Sequence, residues 1–406
     1  MARKIKAALG QFSLSKPFRA LLFVAIIVVP LLVSYNDKLS FNSLSEIGES
    51  YESVKGFNTI ADSFGPGEVM PVQVVIESEK NLDSAEGFAA MASRLESLTD
   101  GLGQSVEGLQ EVSKGLGSAQ DYLGKLTNNT DPEMSGFYVP SEALESSDFQ
   151  QVFDRYLSTD KKVAKFEVVL KHNPYSDQAL RASREVKTTV ERAIARTELK
   201  GANYGVSGMS ASSSDMLAAS DKDYSQTVIY MIIGVSIILI ILLRSIIMPL
   251  YLVVSLLLCF YSSLAINEVI FVDILGYDGI NWTMPFFGFV LLMALGVDYS
   301  IFLMDRFNEY KEMPVGEAIL TAMRNMGTVI FSAVIILGGT FAAMYPAGVL
   351  SLAQIATIVL AGLVLYAFVF LPFFVPVMVK VFGRANWFPF DRNQEMRKNN
   401  NQDISG

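Results

Sequence analysis

Residues 284–304 read MPFFGFVLLMALGVDYSIFLM, a run of 21 residues that holds one acid, Asp298, six positions from its end. Wound as a helix, the run rises roughly 32 Å at 1.5 Å per residue, close to the ~30 Å hydrocarbon core of a bilayer. A carboxylate inside such a span costs at least ~2.5 to 3.5 kcal/mol, and a side chain as short as aspartate cannot snorkel the roughly 9 Å to the helix end. Asp298 therefore has to face protein or trapped water. An acid kept in a membrane at that cost marks an ion or proton path by default.

Working outward, five further runs have the length and apolar content of spans, giving six: approximately 18–34, 226–243, 249–268, 284–304, 326–346 and 350–379. The whole chain of 406 residues is 51% hydrophobic and only 18% charged, with a mean hydropathy of +0.36. Soluble domains carry about 25% charge, so this composition excludes a soluble enzyme. The first span follows Arg3, Lys4, Lys6, Lys16 and Arg19, and Ser34-Tyr35-Asn36-Asp37 after it lacks a small-x-small cleavage pattern. That combination reads as an uncleaved signal anchor. Basic residues beside spans stay on the cytoplasmic side, and Arg244, Arg306, Lys311, Arg324, Lys380 and Arg384 all vote for the same orientation. Both termini are then cytoplasmic. The expected division is a cytoplasmic segment 1–17, a first transmembrane helix 18–34, an extracytoplasmic domain 35–225, transmembrane helices two to six within 226–380, and a cytoplasmic tail 381–406.

The extracytoplasmic domain reads as α+β. Residues 71–78 (PVQVVIES) and 163–170 (VAKFEVVL) carry the β-branched content of strands, residues 204–207 look like a third, and 81–98 and 176–199 read as helices. This order suggests helices on one face of a small sheet. An insertion at 95–126 spaces Leu95, Leu98, Leu102, Val106, Leu109, Val112, Leu116 and Leu123 mostly three and four apart, favouring a long helix or helical hairpin. Six interleaved glycines each cost roughly 1 kcal/mol there. The insertion is either an arm that meets a partner or an ordinary helix pair within its own domain.

Tyr299, next to the acid, has a hydroxyl that both donates and accepts, so it suits a carboxyl in either protonation state. Adjacent helical residues do not face each other, so Asp298 and Tyr299 are expected to bond across to neighbouring helices. Gly296 and Ser300 form a small-xxx-small pair that lets another helix approach the acid's backbone; Ser255, Cys259 and Ser263 make a similar stripe in the third span, and Gly338 or Gly339 with Ala342 or Ala343 in the fifth. The competing reading of Asp298 is a polar contact between helices, or an interfacial position if the span is drawn too long. Ordinary close packing accounts equally for the small-residue stripes.

Other chemistry finds little footing. One cysteine, Cys259, excludes an intrachain disulfide, and one histidine, His172, leaves no His/Cys cluster for a metal. A net charge of -9 with no dominant Lys/Arg block gives nucleic-acid binding no electrostatic basis. No nucleophile and base occur at a recognisable spacing, so no catalytic residue and no cofactor are implied.

One span, a large outer domain and five more spans with Gly-x-Asp-Tyr in the fourth resemble one half of a resistance-nodulation-division (RND) transporter. The likeness rests on Ala294-Leu295-Gly296-Val297-Asp298-Tyr299-Ser300 running into residues 302–310 (FLMDRFNEY), then on Glu317-Ala318-Ile319 before Arg324. It is nearest to the MMPL branch, exporters of lipids and other hydrophobic envelope molecules. The resemblance implies six transmembrane helices of an RND/MMPL repeat with a porter-like outer domain, in a bacterial cell membrane of Gram-positive type. It implies export of a lipid or hydrophobic small molecule driven by the proton gradient, with Asp298 and Tyr299 as the proton relay and Gly296 and Ser300 packing the relay helix. Family members usually carry two such halves, so it also implies a homodimer or a second six-helix half. The alternative function is a non-transporting envelope scaffold that recruits proteins through the insertion.

Overall fold

The structure, a computed structural model, describes residues 2–48, 50–79, 155–195 and 201–389. The expected helix at 81–98 and the insertion at 95–126 lie outside the described residues. In chain order the elements are α1 Ala2–Ser15, α2 Pro17–Ser34, β1 Leu39–Ser40, α3 Glu52–Phe64, α4 Pro66–Val69, β2 Val72–Glu77, β3 Val163–Val168, α5 Asp177–Ile194, β4 Asn203–Ser207 and α6 Met209–Leu243. There follow α7 Ile247–Glu268 with a π-helical turn Val269–Ile274, β5 Ile280–Asn281, α8 Met284–Glu309 and α9 Val315–Ala342. The last long helix is α10 Leu350–Leu365, continued by a π-helical stretch Tyr366–Phe374 and by α11 Val375–Phe382. The chain divides into two compact units, residues 1–48 with 221–406, and residues 49–220.

The first unit is a helical membrane assembly. Among the described residues six helices are long and apolar enough to cross a bilayer, and the protein is a polytopic helical membrane protein. Helices α6, α8 and α9 each outrun the apolar run that announces them by five residues or more. α6 begins at Met209, because the polar stretch 209–225 continues the same helix. α9 begins directly after Pro314, eleven residues before its apolar run. α8 continues past Met304 to Glu309. The third and sixth spans are the most enclosed, and their buried residues form one continuous apolar core with the inner face of α8. Gly10 of α1 lies against Met323 of α9, tying the N-terminal helix to the fifth span.

The second unit holds a three-stranded sheet in the order β3-β2-β4, with both neighbours antiparallel to the central β2. The three expected strands are all present. Val72, Val74 and Ile76 alternate along β2 onto one buried face, the two-residue period of a strand. Against Val74 and Ile76, α5 sets Val186, Val190 and Ile194, one per helical turn. The helix thus covers one face of the sheet. Gly67 is required by backbone contact, since a Cβ there would stand 1.8 Å from the Leu170 carbonyl oxygen.

Candidate functional site

The helix α8 has two unlike faces. Leu292, Met293, Gly296, Val297, Tyr299, Ser300, Leu303 and Met304 are buried against the rest of the first unit. Phe287, Ala294, Asp298, Phe302 and Asp305 are exposed in the single chain, spaced three, four or seven apart and therefore on one stripe. Asp298 is 14 residues from the Met284 end of α8 and 11 from the Glu309 end, roughly 21 and 17 Å. It lies near the middle of the helix, on the face this chain leaves open. Its carboxylate forms no hydrogen bond or ion pair among the described residues.

Tyr299 lies about 100° around the helix from Asp298, on the buried side. It is only 3% exposed, and its Oη has no hydrogen-bond partner among the described residues. Since successive residues turn about 100° around a helix, burying Tyr299 in the chain's own core sends Asp298 to the open stripe.

Close approach around Tyr299 depends on missing side chains. A Cβ on Gly296 would stand 2.2 Å from Leu256 Cδ2 of α7, and one on Gly362 of α10 would stand 2.2 Å from Leu292 Cδ2 of α8. The third, fourth and sixth spans meet through these glycines, as small residues at membrane helix interfaces allow. Where they meet, a polar layer crosses the apolar core. Ser300 Oγ donates to the Gly296 carbonyl at 2.8 Å and lies 2.5 Å from Tyr366 Oη. Ser255 Oγ donates to the Leu252 carbonyl at 2.7 Å and sits 3.4 Å from the same tyrosine. Cys259 Sγ donates to the Gly362 carbonyl at 3.3 Å. A small cavity lined by Cys259, Gly296, Tyr299, Gly362 and Tyr366, with three leucines, adjoins this layer.

Of the residues singled out from sequence, Gly296, Tyr299, Ser300, Ser255 and Cys259 come together in this layer. Asp298 stands apart, on the open stripe of the same helix. Gly338 approaches Leu360, with 3.4 Å from its Cβ position to Leu360 Cδ2, whereas Gly339 meets nothing. Tyr366 is the residue that sequence reasoning missed. It stands in YAFVFLPFF, where one phenol among aromatic hydrocarbons reads as core. The prolines at 372 and 376 were the available signal that this helix departs from α geometry, and π-helical turns concentrate at functional sites.

A second polar group was also missed, near the Glu268 end of α7. Glu268 is 1% exposed and accepts the Asn36 backbone N–H on both carboxylate oxygens, at 3.2 and 3.1 Å. Gln354 Oε1 accepts from the Asn281 N–H at 2.9 Å, and Glu46 accepts from Asn281 Nδ2 at 2.5 Å and from the Ser351 N–H at 2.9 Å. Nearby, burial and the neighbouring Asp37 carboxylate, to which it donates at 2.7 Å, push the Tyr35 phenol above its ordinary range. These side chains pin the short parallel pair β1 and β5 to the helix ends.

The sequence matches the MMPL family over residues 50–402. Among curated relatives, the putative membrane protein YdgH of Bacillus subtilis is 30% identical, over 96% of this chain and 61% of its own length. The putative membrane protein SCO5905 of Streptomyces coelicolor is 33% identical, over 91% of this chain and 39% of its own. The acyltrehalose exporter MmpL10 of Mycobacterium tuberculosis is 28% identical, over 75% of this chain and 30% of its own. The chain thus spans from 30% to 61% of the length of these three relatives.

Proposed function

The chain belongs to the MMPL family, and from that premise we propose that it is a secondary transporter that uses the proton-motive force to export a lipid or other hydrophobic molecule to the cell envelope. Asp298 and Tyr299 are its proton relay. The observation that carries this reading is the placement of Asp298: a carboxylate midway along a membrane-spanning helix, on a face that this chain's other five spans leave open. Lipid does not tolerate a bare charge at that depth. A second six-helix set, from another copy or from elsewhere in a longer protein, covers the stripe and completes the relay at the interface, where repeat transporters place their ion sites. The exporter name of MmpL10 supports a hydrophobic substrate, and transporter names among the relatives support a protein that is not an enzyme.

Mechanistically, a proton taken up by Asp298 neutralises the charge at the interface and lets the paired helices shift; its release on the other side resets them. Each proton that crosses supplies about 2.3 kcal/mol per 100 mV of potential. With both termini cytoplasmic, residues 35–225 stand outside the membrane and pass the substrate onward. The test compares envelope lipids extracted from cells expressing the wild type or Asp298→Asn at equal membrane abundance. The variant is expected to lose at least one lipid class from the outer extract while the protein inserts normally. Identical lipid profiles would falsify the relay.

A further inference from the structure

The hydroxyl groups around Tyr366 leave two hydrogen-bonding roles open, and the two tyrosines concerned line one cavity. The Ser300 hydroxyl proton is committed to the Gly296 carbonyl at 2.8 Å, and the Ser255 hydroxyl proton to the Leu252 carbonyl at 2.7 Å. With both protons so placed, neither serine donates to Tyr366. Either oxygen can be the donor in the 2.5 Å bond between Tyr366 Oη and Ser300 Oγ; with the serine proton on the Gly296 carbonyl Tyr366 donates, and its Oη keeps acceptor lone pairs open. The Cys259 thiol proton is spent on the Gly362 carbonyl. On the other side Tyr299 Oη, on a residue only 3% exposed, has no partner at all among the described residues. Tyr299 and Tyr366 line the same cavity between the third, fourth and sixth spans, and it has room for about one water molecule.

We propose that one water molecule occupies this cavity, accepts the Tyr299 hydroxyl proton, donates to Tyr366 Oη, and so makes Tyr366 a positioning residue for Tyr299. Buried water is retained where it satisfies polar groups that lack a partner, and this site brings the unpartnered Tyr299 hydroxyl together with the spare acceptor capacity of Tyr366 Oη. The Tyr299 hydroxyl is thereby anchored through water, Tyr366 and Ser300 to the backbone of its own helix at Gly296. The functional role of this anchor rests on the relay reading of Asp298 and Tyr299; the water site itself does not.

X-ray radiolytic labelling of the full-length chain, in vesicles of phosphatidylethanolamine and phosphatidylglycerol made with ¹⁸O water, tests the site. Tyrosines beside bound water take up label even when sealed from solvent. Tyr251, 4% exposed and donating its hydroxyl to Asn386 Oδ1 at 3.2 Å, is the control, a buried tyrosine whose proton already has a protein acceptor. Tyr299 is expected to label at least about fivefold more than Tyr251, and Tyr366→Phe is expected to bring it down to the control level. A wild-type Tyr299 that labels no more than Tyr251 overturns the proposal, and that result needs no variant to fold. Labelling at Tyr299 that survives in a folded Tyr366→Phe protein overturns the role of Tyr366. Asp298→Asn leaves Tyr299 labelling unchanged if the water site is right. Proton flux through that same variant, read with a dye trapped in the vesicles, separately decides the relay.

Discussion

At Gly296 a hydrogen atom occupies the place where any other residue would put carbon against Leu256. Gly296→Ala is expected to force that leucine out of its rotamer and to cost about 1 to 3 kcal/mol, read as a lower thermal midpoint of the detergent-solubilised protein, with Gly339→Ala near wild type because nothing lies within reach there. A different residue-scale outcome belongs to the second unit. The Ser158 hydroxyl donates to Asp160 Oδ1 at 2.5 Å and the Lys162 N–H adds a weaker bond, holding this carboxyl below the usual range. A depressed carboxylate stabilises the fold above its unfolded pKa of about 3.9 and loses that contribution as pH falls through the lower folded value. Ser158→Ala is expected to move the Asp160 titration, followed by NMR, back up toward the ordinary range. Asp298 was legible in the sequence because a charge among apolar residues needs no structure to stand out. Tyr366 was not, because a phenol's meaning depends on whether its oxygen finds partners, and those partners, Ser255 and Ser300, come from two other helices.

The sixth span shows how an element is tuned by what its backbone lacks. In a regular α-helix the Pro372 carbonyl would accept from residue 376, but residue 376 is itself proline and has no N–H. A donor arrives from elsewhere: the buried Ser13 hydroxyl of α1 reaches the Pro372 carbonyl at 2.8 Å. The N-terminal helix, read from sequence as a basic cytoplasmic segment, is thus keyed into the membrane unit at the irregular stretch that also carries Tyr366. Ser13→Ala is expected to cost about 1 to 3 kcal/mol, the penalty for leaving a buried acceptor short of its donor, and Ser13→Thr, which retains the hydroxyl, is expected to cost less; thermal unfolding of both variants in one detergent checks the ordering. Most elements were legible from periodicity. The six apolar runs and the strands over 71–78, 163–170 and 204–207 each mark a real element, because burial imposes a period that composition records. Element ends were less legible: α6 and α9 start in polar sequence, where helix continues without an apolar signal.

For the whole membrane unit, the stripe of α8 that bears Asp298 poses a question of cover, and the sequence makes it answerable. Cys259 is the chain's sole cysteine and is buried, so an introduced thiol reports with little background. Ala294 is exposed one turn from Asp298 on the same stripe. If a second copy packs there about a twofold axis, the two α8 helices bring Ala294 near its counterpart, and Ala294→Cys is expected to form a disulfide on mild oxidation. That bond requires Cα atoms within about 7 Å and appears as a band at twice the chain's 44.6 kDa. Ile336, 71% exposed on α9, is the companion position. Ile336→Cys is expected to stay monomeric and to react with a maleimide in the detergent-solubilised protein, where loosely held detergent admits water to an outward-facing thiol. Should Ala294→Cys also stay monomeric and react as fast as Ile336→Cys, the stripe faces lipid, and a lone acid at that depth would have no partner with which to relay a proton. Should it neither cross-link nor react, a different set of helices covers it, and the homodimer gives way to a heterologous second half.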